Sequence, residues 1–438
     1  MKVTVIGLGY LGATHAVAMA KLGHEVLGVE PDFGKLSALQ AGELPFHEPG
    51  LDRALQEVIS EGNISFVSSH DHRTTEAEVH FICVGTPQKA DSEAADTSYV
   101  LAASEELAKW ISPNAVVAGK STVPVGTAHA LRERMTEVAG FGVNLAWNPE
   151  FLREGTALED SLKPDRIVIG TWNEHSAALL RAVYKPITDL GTPLLELDVP
   201  TAELVKVSAN AFLATKISFI NAMAEVAEVA GADTVALARA IGYDERIGNK
   251  FLRTGIGFGG GCLPKDIRGF VARAEELGVG KAVEFLKDVD AINLRRRERV
   301  VELAKAELGN VPGKKVTMLG ISFKPDSDDL RDSPALEISK ALSELGAKVT
   351  VHDPVSLEAL SRREQALEAN QDVMVALTGA NLVILGTEWR EYRELDPAAV
   401  AKVVANKIVI DGRNVLDVES WKAAGFRVIA LGRNIINE

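Results

Sequence analysis

A stretch rich in glycine contains the residues best suited to covalent chemistry. Residues 257–266 read Gly-Phe-Gly-Gly-Gly-Cys-Leu-Pro-Lys-Asp, and the glycines allow the backbone to approach a ligand closely. Because Pro264 limits how far a helix extends back toward the sulfur, we expect Cys262 to lie in a loop. A thiol beside a cation such as Lys265 can be held as thiolate, the form that attacks carbonyl carbon. The alternative is a glycine turn with a buried, inert cysteine.

A second glycine motif lies near the start of the chain. The apolar strand pattern of residues 3–6 runs into G-x-G-x-x-G at residues 7–12, and a helical pattern follows. Between a strand and a helix, these glycines make the turn, admit a pyrophosphate and allow close helix–strand packing, with the helix N-terminus facing the phosphates. The next strand pattern ends in Glu30, which suits the ribose hydroxyls of NAD and repels a 2′-phosphate. The nearby Lys35 weakens the expected preference for NAD over NADP. For the glycine motif itself, the alternative is a purely structural turn.

The composition indicates a globular protein with two or three domains, because 438 residues exceed a single core. A net charge of −14 disfavours nucleic acid or an anionic membrane as the main partner. Two cysteines, Cys83 and Cys262, make no disulfide framework and fit a reducing compartment. The N-terminus has no signal-peptide pattern and no apolar run reaches transmembrane length. We therefore expect a cytoplasmic protein.

Strand and helix patterns alternate along the first half of the chain. Two strand patterns end in small or hydroxyl residues, Thr86 after the first and Ser121-Thr122 after the second. In an open α/β sheet the ligand lies at the carboxyl ends of the strands, so these residues belong beside the cofactor. Cys83 lies within an apolar strand and is expected in the core. Residues 148–156 form a loop dense in acid–base groups, for which a solvated surface loop is the alternative.

A long helix is predicted at residues 201–230, where no proline or glycine interrupts the pattern. At the usual rise it would span roughly 45 Å, long enough to bridge two domains and to pack a dimer. Lys206 and Asn210 are four residues apart and share one face. Lys206 either snorkels at the surface or points into a cleft.

A third region, from Gly313 onward, repeats the first. Three stretches match: 315–320 matches 2–7, 345–354 matches 22–31, and 382–387 matches 81–86. The matches predict a second Rossmann-like unit. Its first turn lacks the phosphate-loop glycines, so it should not hold a second dinucleotide in the same way. Lys324, Arg331 and Arg413 instead suit an anionic ligand between the two halves, with scattered surface charge as the alternative.

These parts together indicate a dehydrogenase with covalent catalysis. A thiolate is useful where an aldehyde must become an acid, since the thiohemiacetal gives hydride to NAD and water hydrolyses the thioester. Lys206 and Asn210 are candidates for stabilising the oxyanion, and loss of one such donor typically costs about 10²–10³ in rate. Glu150 and Asp266 are candidates for activating water.

The sequence resembles the UDP-glucose/GDP-mannose dehydrogenase family over essentially its whole length. The resemblance rests on ordered motifs at residues 7–12, 121–126, 148–156, 164–170, 206–212, 246–252, 257–266, 323–326 and 411–413. It implies an α/β fold with two Rossmann-like doubly wound domains joined by a long central helix. The implied domains are an NAD-binding domain at 1–198, a helical dimerisation domain at 199–305 and a UDP-sugar-binding domain at 306–438. Gly261 departs from the pattern, because many relatives have serine there.

The resemblance also implies a four-electron oxidation of UDP-glucose to UDP-glucuronate with two NAD+. By position, Cys262 resembles the nucleophile, while Lys206 and Asn210 resemble the pair that positions oxyanion and water. Asp266, Thr122 and Glu150 would handle proton transfer and water, with Glu150 favoured for thioester hydrolysis. The group that takes the first alcohol proton stays open.

The remaining site residues follow from the same resemblance. Cofactor contacts are expected at Gly7, Gly9, Tyr10, Leu11, Gly12, Glu30, Lys35, Thr86, Thr122, Glu154, Lys265 and Arg331. Substrate contacts are expected at Glu150, Phe151, Leu152, Arg153, Lys206, Asn210, Arg246, Arg253, Gly255, Phe258, Gly259, Phe323, Lys324 and Arg413. In this family the residue at the position of Arg246 can reach a neighbouring subunit's substrate, so a homodimer is expected. We expect no metal site and no nucleic-acid or membrane partner.

Three alternatives stay open at this point. A GDP-mannose or other nucleotide-sugar 6-dehydrogenase would share the chemistry, although residues 246–250 favour UDP-glucose. In a simple two-electron hydroxyacid dehydrogenase, Cys262 would be incidental. An NAD-sensing scaffold would have no turnover.

Overall fold

The computed structural model describes residues 1–363 and 367–433. The chain forms two compact units, one of residues 1–209 and 268–280 and the other of residues 210–267 and 281–438. Each unit contains a predominantly parallel sheet with helices between the strands. The predicted α/β class is confirmed.

The first unit contains an eight-stranded sheet. Its strands are β1 (Lys2–Ile6), β2 (Glu25–Val29), β3 (Ile64–Val67), β4 (Val79–Ile82), β5 (Val116–Gly119), β6 (Asn144–Trp147), β7 (Ile167–Thr171) and β8 (Leu194–Leu197). The strand order is β3-β2-β1-β4-β5-β6-β7-β8, and only the β6–β7 pair is antiparallel. The order reverses between β1 and β4, and this is where an open α/β sheet binds its ligand.

Helices connect these strands and cover the sheet. They are α1 (Tyr10–Lys21), α2 (Phe33–Gln40), α3 (Leu51–Ser60), α4 (His72–Glu76), α5 (Ser98–Ala108), α6 (Thr127–Ala139), α7 (Ala157–Leu162) and α8 (Glu174–Thr188). Asp32 and Asn173 begin α2 and α8, where their side chains accept hydrogen bonds from backbone amides of the first turn. Apart from Lys2, every residue of β1 and β4 is buried, because both faces of a parallel sheet are covered.

The predicted long helix is confirmed as α9 (Val199–Ala230), which has 32 residues. It begins in the first unit and ends in the second. Three further helices follow it: α10 (Thr234–Gly242), α11 (Leu263–Glu276) and α12 (Phe285–Leu308). A 3-10 turn at Gly280–Val283 precedes α12.

The second unit contains a six-stranded parallel sheet with the order β11-β10-β9-β12-β13-β14. Its strands are β9 (Lys315–Leu319), β10 (Lys348–His352), β11 (Glu368–Ala369), β12 (Leu382–Leu385), β13 (Ile408–Asp411) and β14 (Arg427–Ala430). The helices that follow β9 are α13 (Pro334–Glu344), α14 (Leu357–Arg363), α15 (Val373–Leu377), α16 (Arg390–Arg393), α17 (Pro397–Val403) and α18 (Val418–Ala423). β9, β10 and β12 stand where β1, β2 and β4 stand in the first sheet, so the predicted repeat is confirmed.

The division into three domains at 1–198, 199–305 and 306–438 stays a prediction. The chain forms two compact units, and the first boundary between them falls within α9, between residues 209 and 210. Within the two described ranges, no helix is long and apolar enough to cross a bilayer.

Candidate active site

The first glycine motif lies between β1 and α1. Gly7 has φ +81° and its amide donates to the Val29 carbonyl at 2.9 Å. A Cβ at Gly12 would collide with the Gly7 carbonyl oxygen, so the turn requires glycine there. Gly9 precedes α1, and the position of its absent Cβ faces open space. The amides that begin α1, at Tyr10 and Leu11, therefore form a cradle that fits the diphosphate of a dinucleotide.

Glu30 holds this loop from the end of β2. Its side chain accepts hydrogen bonds from the amides of Leu8 at 2.8 Å and Asp32 at 3.0 Å, and the residue is 4% exposed. A carboxylate has about four acceptor positions, so Glu30 can also accept from ribose hydroxyls. Lys35 lies exposed on α2.

The loops after β4 and β5 are joined to each other. The Thr86 hydroxyl donates to the Thr122 carbonyl at 2.7 Å, and the Ser121 hydroxyl donates to the Val84 carbonyl at 2.6 Å. Cys83 is buried, as predicted, and burial raises the pKa of its thiol to about 12. This cysteine therefore belongs to the core.

Glu150 and Lys206 form an ion pair in the first unit. The Lys206 Nζ lies 2.9 Å from the Glu150 Oε1, and the two side chains are 7% and 13% exposed. The other Glu150 oxygen accepts from the Leu152 amide at 2.7 Å, and the Lys206 Nζ lies 5.7 Å from the ring centroid of Phe151. Lys206 is thus a buried cation and does not snorkel at the surface. Next in this loop, Arg153 is exposed and is paired with Asp160, and Glu154 is half-buried.

Cys262 lies in the second unit, directly before α11. It is exposed to solvent, and its carbonyl accepts from the Asp266 amide at 2.9 Å. Pro264 stands in the first turn of α11, where a helix tolerates proline. The predicted loop position is confirmed, and Cys262 is not buried.

Asp266 has two partners beside this cysteine. Its Oδ2 accepts from the Asn210 amide nitrogen at 2.6 Å, and its Oδ1 lies 2.6 Å from the Lys265 Nζ. Asp266 is 4% and Asn210 is 8% exposed. The carboxylate therefore fixes the amide of Asn210, which follows Lys206 by one helical turn on α9.

Helix α12 holds the backbone of the glycine-rich stretch. The Asn293 side chain accepts from the Phe258 amide at 2.7 Å and donates to the Phe258 carbonyl at 3.0 Å. Arg297 donates to the same carbonyl at 3.0 Å. Neither Asn293 nor Arg297 was among the predicted site residues. Their spacing could have revealed them. They are four residues apart on the helix face that carries the buried Val289 and Val300, so the spacing indicates that both polar side chains are buried as well.

Arg413 connects three segments of the second unit. Its guanidinium donates to the carbonyls of Gly257 at 3.1 Å, Phe323 at 3.2 Å and Gly386 at 2.7 Å. Lys324 places its Nζ 5.4 Å from the ring centroid of Phe323. Four of the predicted substrate residues adjoin this region: Gly255, Phe258 and Gly259 are buried, and Arg253 is exposed.

Arg331 lies against Gly261. Its guanidinium binds both oxygens of Asp329, with Nε to Oδ1 at 2.9 Å and Nη2 to Oδ2 at 2.8 Å. The Gly260 amide donates to the Arg331 carbonyl at 2.9 Å. A Cβ at Gly261 would occupy the place of the Arg331 guanidinium. The glycine that departs from the family pattern therefore leaves room for this arginine.

Arg246, predicted to reach a neighbouring subunit, is strongly exposed to solvent. Its side chain is 89% exposed and pairs with Asp244 at 2.6 Å. Within its own chain it therefore points outward.

The second unit has a carboxylate that corresponds to Glu30. Asp353 follows β10 and accepts from the amides of Ile321 at 2.9 Å and Ser322 at 3.1 Å. The indole of Trp389 donates to the same oxygen at 3.3 Å. Asp353 therefore accepts hydrogen bonds from donors of its own chain, whereas the corresponding carboxylate of a dinucleotide-binding unit faces a ribose.

Three buried charged residues of the first unit were not among the predicted site residues. Glu48 accepts from the Tyr10 hydroxyl and from the amides of Gly155 and Ala157. Glu203 on α9 accepts from the amides of Gly126 and Ala128, both at 2.8 Å, and so caps α6 beside the loop of Thr122. Lys120 donates to the Asn148 side chain at 3.1 Å, and burial lowers its pKa to about 8. Each lies far in sequence from its partners, which is why no local pattern reveals it.

Comparison with known proteins agrees with this arrangement. Three models of the UDP-glucose/GDP-mannose dehydrogenase family match the chain: the NAD binding domain at residues 1–188, the central domain at 200–295 and the UDP binding domain at 317–418. UDP-glucose 6-dehydrogenase YwqF of Bacillus subtilis (strain 168) is 37% identical over 100% of this chain and 98% of its own length. UDP-glucose 6-dehydrogenase of Rhizobium meliloti (strain 1021) is 39% identical over 99% of this chain and 100% of its own.

A solved structure of a UDP-glucose dehydrogenase from Pyrobaculum islandicum is also similar. It superposes with a TM-score of 0.89 at 38% identity, covering 98% of this chain and 96% of that one. The chain belongs to the UDP-glucose/GDP-mannose dehydrogenase family and contains that family's NAD binding domain.

Proposed function

We propose that the protein is an NAD-dependent UDP-glucose 6-dehydrogenase that oxidises C6 of the sugar to a carboxylate through a covalent thioester. The observation that carries the proposal is the exposed Cys262 at the start of α11, next to the fixed pair of Asn210 and Asp266. The same helix face that carries Asn210 carries the buried Lys206, which pairs with Glu150. The similar proteins named UDP-glucose 6-dehydrogenase support the choice of substrate.

The first oxidation converts the C6 hydroxyl to an aldehyde. The glycine loop of residues 7–12 and Glu30 would hold NAD, which would supply the hydride acceptor for C6 in each of the two oxidations. The hydroxyl proton passes to the chain, and Asp266, Glu150 and Thr122 are the candidates for accepting it directly or through water. Lys206 and Asn210 offer N–H donors for the negative charge that develops on the C6 oxygen.

The second half depends on the sulfur. The Cys262 thiolate forms a bond to the aldehyde carbon, and the carbonyl electrons move to the oxygen, which gains a proton to give a thiohemiacetal. Loss of hydride and of that proton leaves a thioester. Glu150 takes a proton from a water molecule that attacks the thioester carbon, the C–S bond breaks and the thiolate leaves. One sugar thus consumes one water and yields two NADH.

The second unit supplies the proposed nucleotide-sugar contacts. Arg413 fixes Gly257 and Phe323 relative to each other, so one arginine arranges two of the segments that would line the sugar nucleotide. Lys324 and Arg253 supply cations suited to the diphosphate. The match to the family's UDP binding domain supports this assignment.

The assembly is proposed to be a homodimer that packs through α9. Exposed apolar side chains follow one another along this helix: Phe212, Phe219, Val226 and Val229 are 67%, 48%, 60% and 92% exposed. Such a surface favours burial against a second copy. We expect light scattering to give a dimer mass for the wild type and a monomer mass for Val229→Glu, and a dimer that persists in this variant would contradict the interface. Loss of turnover in Arg246→Ala with an intact dimer would support its role across subunits.

A reducing compartment suits an enzyme that depends on an exposed thiol, so we infer a cytoplasmic location.

Product analysis tests the reaction. With UDP-glucose and excess NAD+, we expect two NADH per sugar consumed and UDP-glucuronate as the product by mass spectrometry. GDP-mannose serves as the matched comparison, and we expect a far lower kcat/KM for it. A preference for GDP-mannose would overturn the substrate, and one NADH per sugar would overturn the covalent second step.

A further inference from the structure

Glu48 is a buried carboxylate to which the reaction described above gives no role. It lies on the segment between α2 and α3 and is 4% exposed. One of its oxygens accepts from the Tyr10 hydroxyl and from the Gly155 amide at 2.6 Å, and the other accepts from the Ala157 amide at 2.7 Å. Burial of a carboxylate is costly unless both oxygens have donors, so these three bonds account for its position.

The partners of Glu48 belong to two different functional segments. Tyr10 begins α1, between the second and third glycines of the phosphate loop. Gly155 and Ala157 end the loop that starts after β6 and carries Glu150. The Gly155 amide also lies 3.2 Å from the Tyr10 hydroxyl, so both segments meet at one carboxylate.

We propose that Glu48 is a positioning residue that couples the cofactor phosphate loop to the loop of residues 150–157. A diphosphate held by the amides at the start of α1 restrains Tyr10. The Tyr10 hydroxyl restrains Glu48, and Glu48 fixes the amides of Gly155 and Ala157, where α7 begins. Asn148 fixes the opposite end of this loop through its bonds to Lys120 and to the Val168 carbonyl. Bound cofactor therefore orders the segment between them.

The substitutions that test this coupling are small. Tyr10→Phe removes one hydroxyl and keeps the ring, whose centroid lies 4.8 Å from that of Phe46. Glu48→Gln keeps the size but leaves a single good acceptor, so one of the two loop amides faces an NH₂ group. Glu43→Gln is the matched control, because Glu43 is an exposed glutamate on the same segment.

Amide hydrogen exchange with NADH as the probe gives the first readout, and it needs no sugar substrate. In the wild type and in Glu43→Gln, we expect NADH to slow exchange in peptides that cover residues 150–160 at least fivefold. In Tyr10→Phe and Glu48→Gln, exchange at the start of α1 still slows, while the effect on 150–160 falls below twofold. Equal slowing in all four proteins, or no slowing in the wild type, would overturn the proposal. If Glu48→Gln does not fold, Tyr10→Phe decides alone.

The second readout is the coupling between ligands, and it rests on the proposed substrate. NADH and UDP-glucose form a pair that cannot react, since both are in the reduced state. We expect UDP-glucose to tighten NADH binding at least fivefold in the wild type and in Glu43→Gln, and less than twofold in either variant or the double variant. Unchanged coupling in the variants would contradict the role of Glu48. A wild type that does not bind UDP-glucose would defeat the proposed substrate, while the exchange experiment would still decide the role of Glu48.

Discussion

The Lys206 ammonium and the Glu150 carboxylate pair at 2.9 Å with side chains that are 7% and 13% exposed. The two residues are 56 positions apart in the sequence. Because each ion has lost most of its water, each depends on the other, and removal of one partner from a buried pair typically costs about 3–5 kcal/mol. The pair therefore links the fold of the first unit to the chemistry proposed for it.

Lys206→Met should destabilise the first unit, because it leaves the Glu150 charge buried without its cation. We expect denaturant unfolding to show a loss of about 3 kcal/mol. The double variant Lys206→Met, Glu150→Gln should recover part of this loss, since it buries no net charge. If the double variant were less stable than Lys206→Met, the unpaired Glu150 charge would not be the main cause of the lost stability.

Glu150→Gln should slow hydrolysis of the thioester more than its formation. The amide cannot accept a proton from water, and we expect turnover to fall by about 10²–10⁴. Mass spectrometry of the enzyme quenched during turnover should then show the sugar nucleotide attached to the peptide that contains Cys262. Glu133→Gln, an exposed glutamate on α6, is the control. Turnover lost without any adduct would place Glu150 at another step.

Cys262→Ser should abolish formation of the acid while cofactor binding survives. The hydroxyl is a far weaker nucleophile than a thiolate, and Cys262 is outside the glycine loop that fits the dinucleotide. Product analysis checks the loss of acid formation, and NADH titration checks that the cofactor still binds. Turnover equal to wild type would reject covalent catalysis.

Gly261 and Gly259 should respond differently to alanine. At Gly261 the new Cβ meets the end of the flexible Arg331 side chain, which can move. At Gly259 it meets the backbone carbonyl of Asp332, which cannot move without shifting its loop. We expect Gly261→Ala to keep a melting temperature near that of the wild type and to weaken NADH binding severalfold. Gly259→Ala should lower the melting temperature by several degrees, and the reverse pattern would contradict this packing.

His80 should limit stability in acid. It is fully buried, burial lowers its pKa from 6.5 to about 3, and neither ring nitrogen has a hydrogen-bond partner within the described residues. Between pH 6.5 and 3 the unfolded chain binds a proton that the folded chain does not, so the free energy of unfolding falls with falling pH by up to about 1.4 kcal/mol per unit.

His80→Leu should therefore flatten the decline in stability between pH 6.5 and 5 by about 2 kcal/mol, measured by denaturant unfolding at each pH. His129→Leu is the control, since that side chain is 68% exposed on α6. Parallel curves for wild type and His80→Leu would show that other groups cause the acid loss.

Much of the fold could be predicted because its signals are local. The glycine motif at residues 7–12, the repeat beginning at β9 and the uninterrupted pattern of α9 are each contained in a short stretch of sequence. The position of Cys262 outside a helix is predictable because Pro264 constrains the residues before it. Such features follow from backbone sterics and from the periodicity of apolar residues, which act within a few residues.

The contacts that hold the site depend instead on which distant segments pack together. Glu48 meets Gly155 across 107 positions and Arg413 meets Gly257 across 156. Sequence alone determined the types of the reactive groups and the elements that carry them. Only the tertiary structure decided that Lys206 is buried against Glu150, that Arg331 occupies the space beside Gly261, and that Glu48 joins two loops. The physical reason is that strand order and packing determine which distant residue lies next to a buried charge. The residues adjacent in sequence do not contain that information.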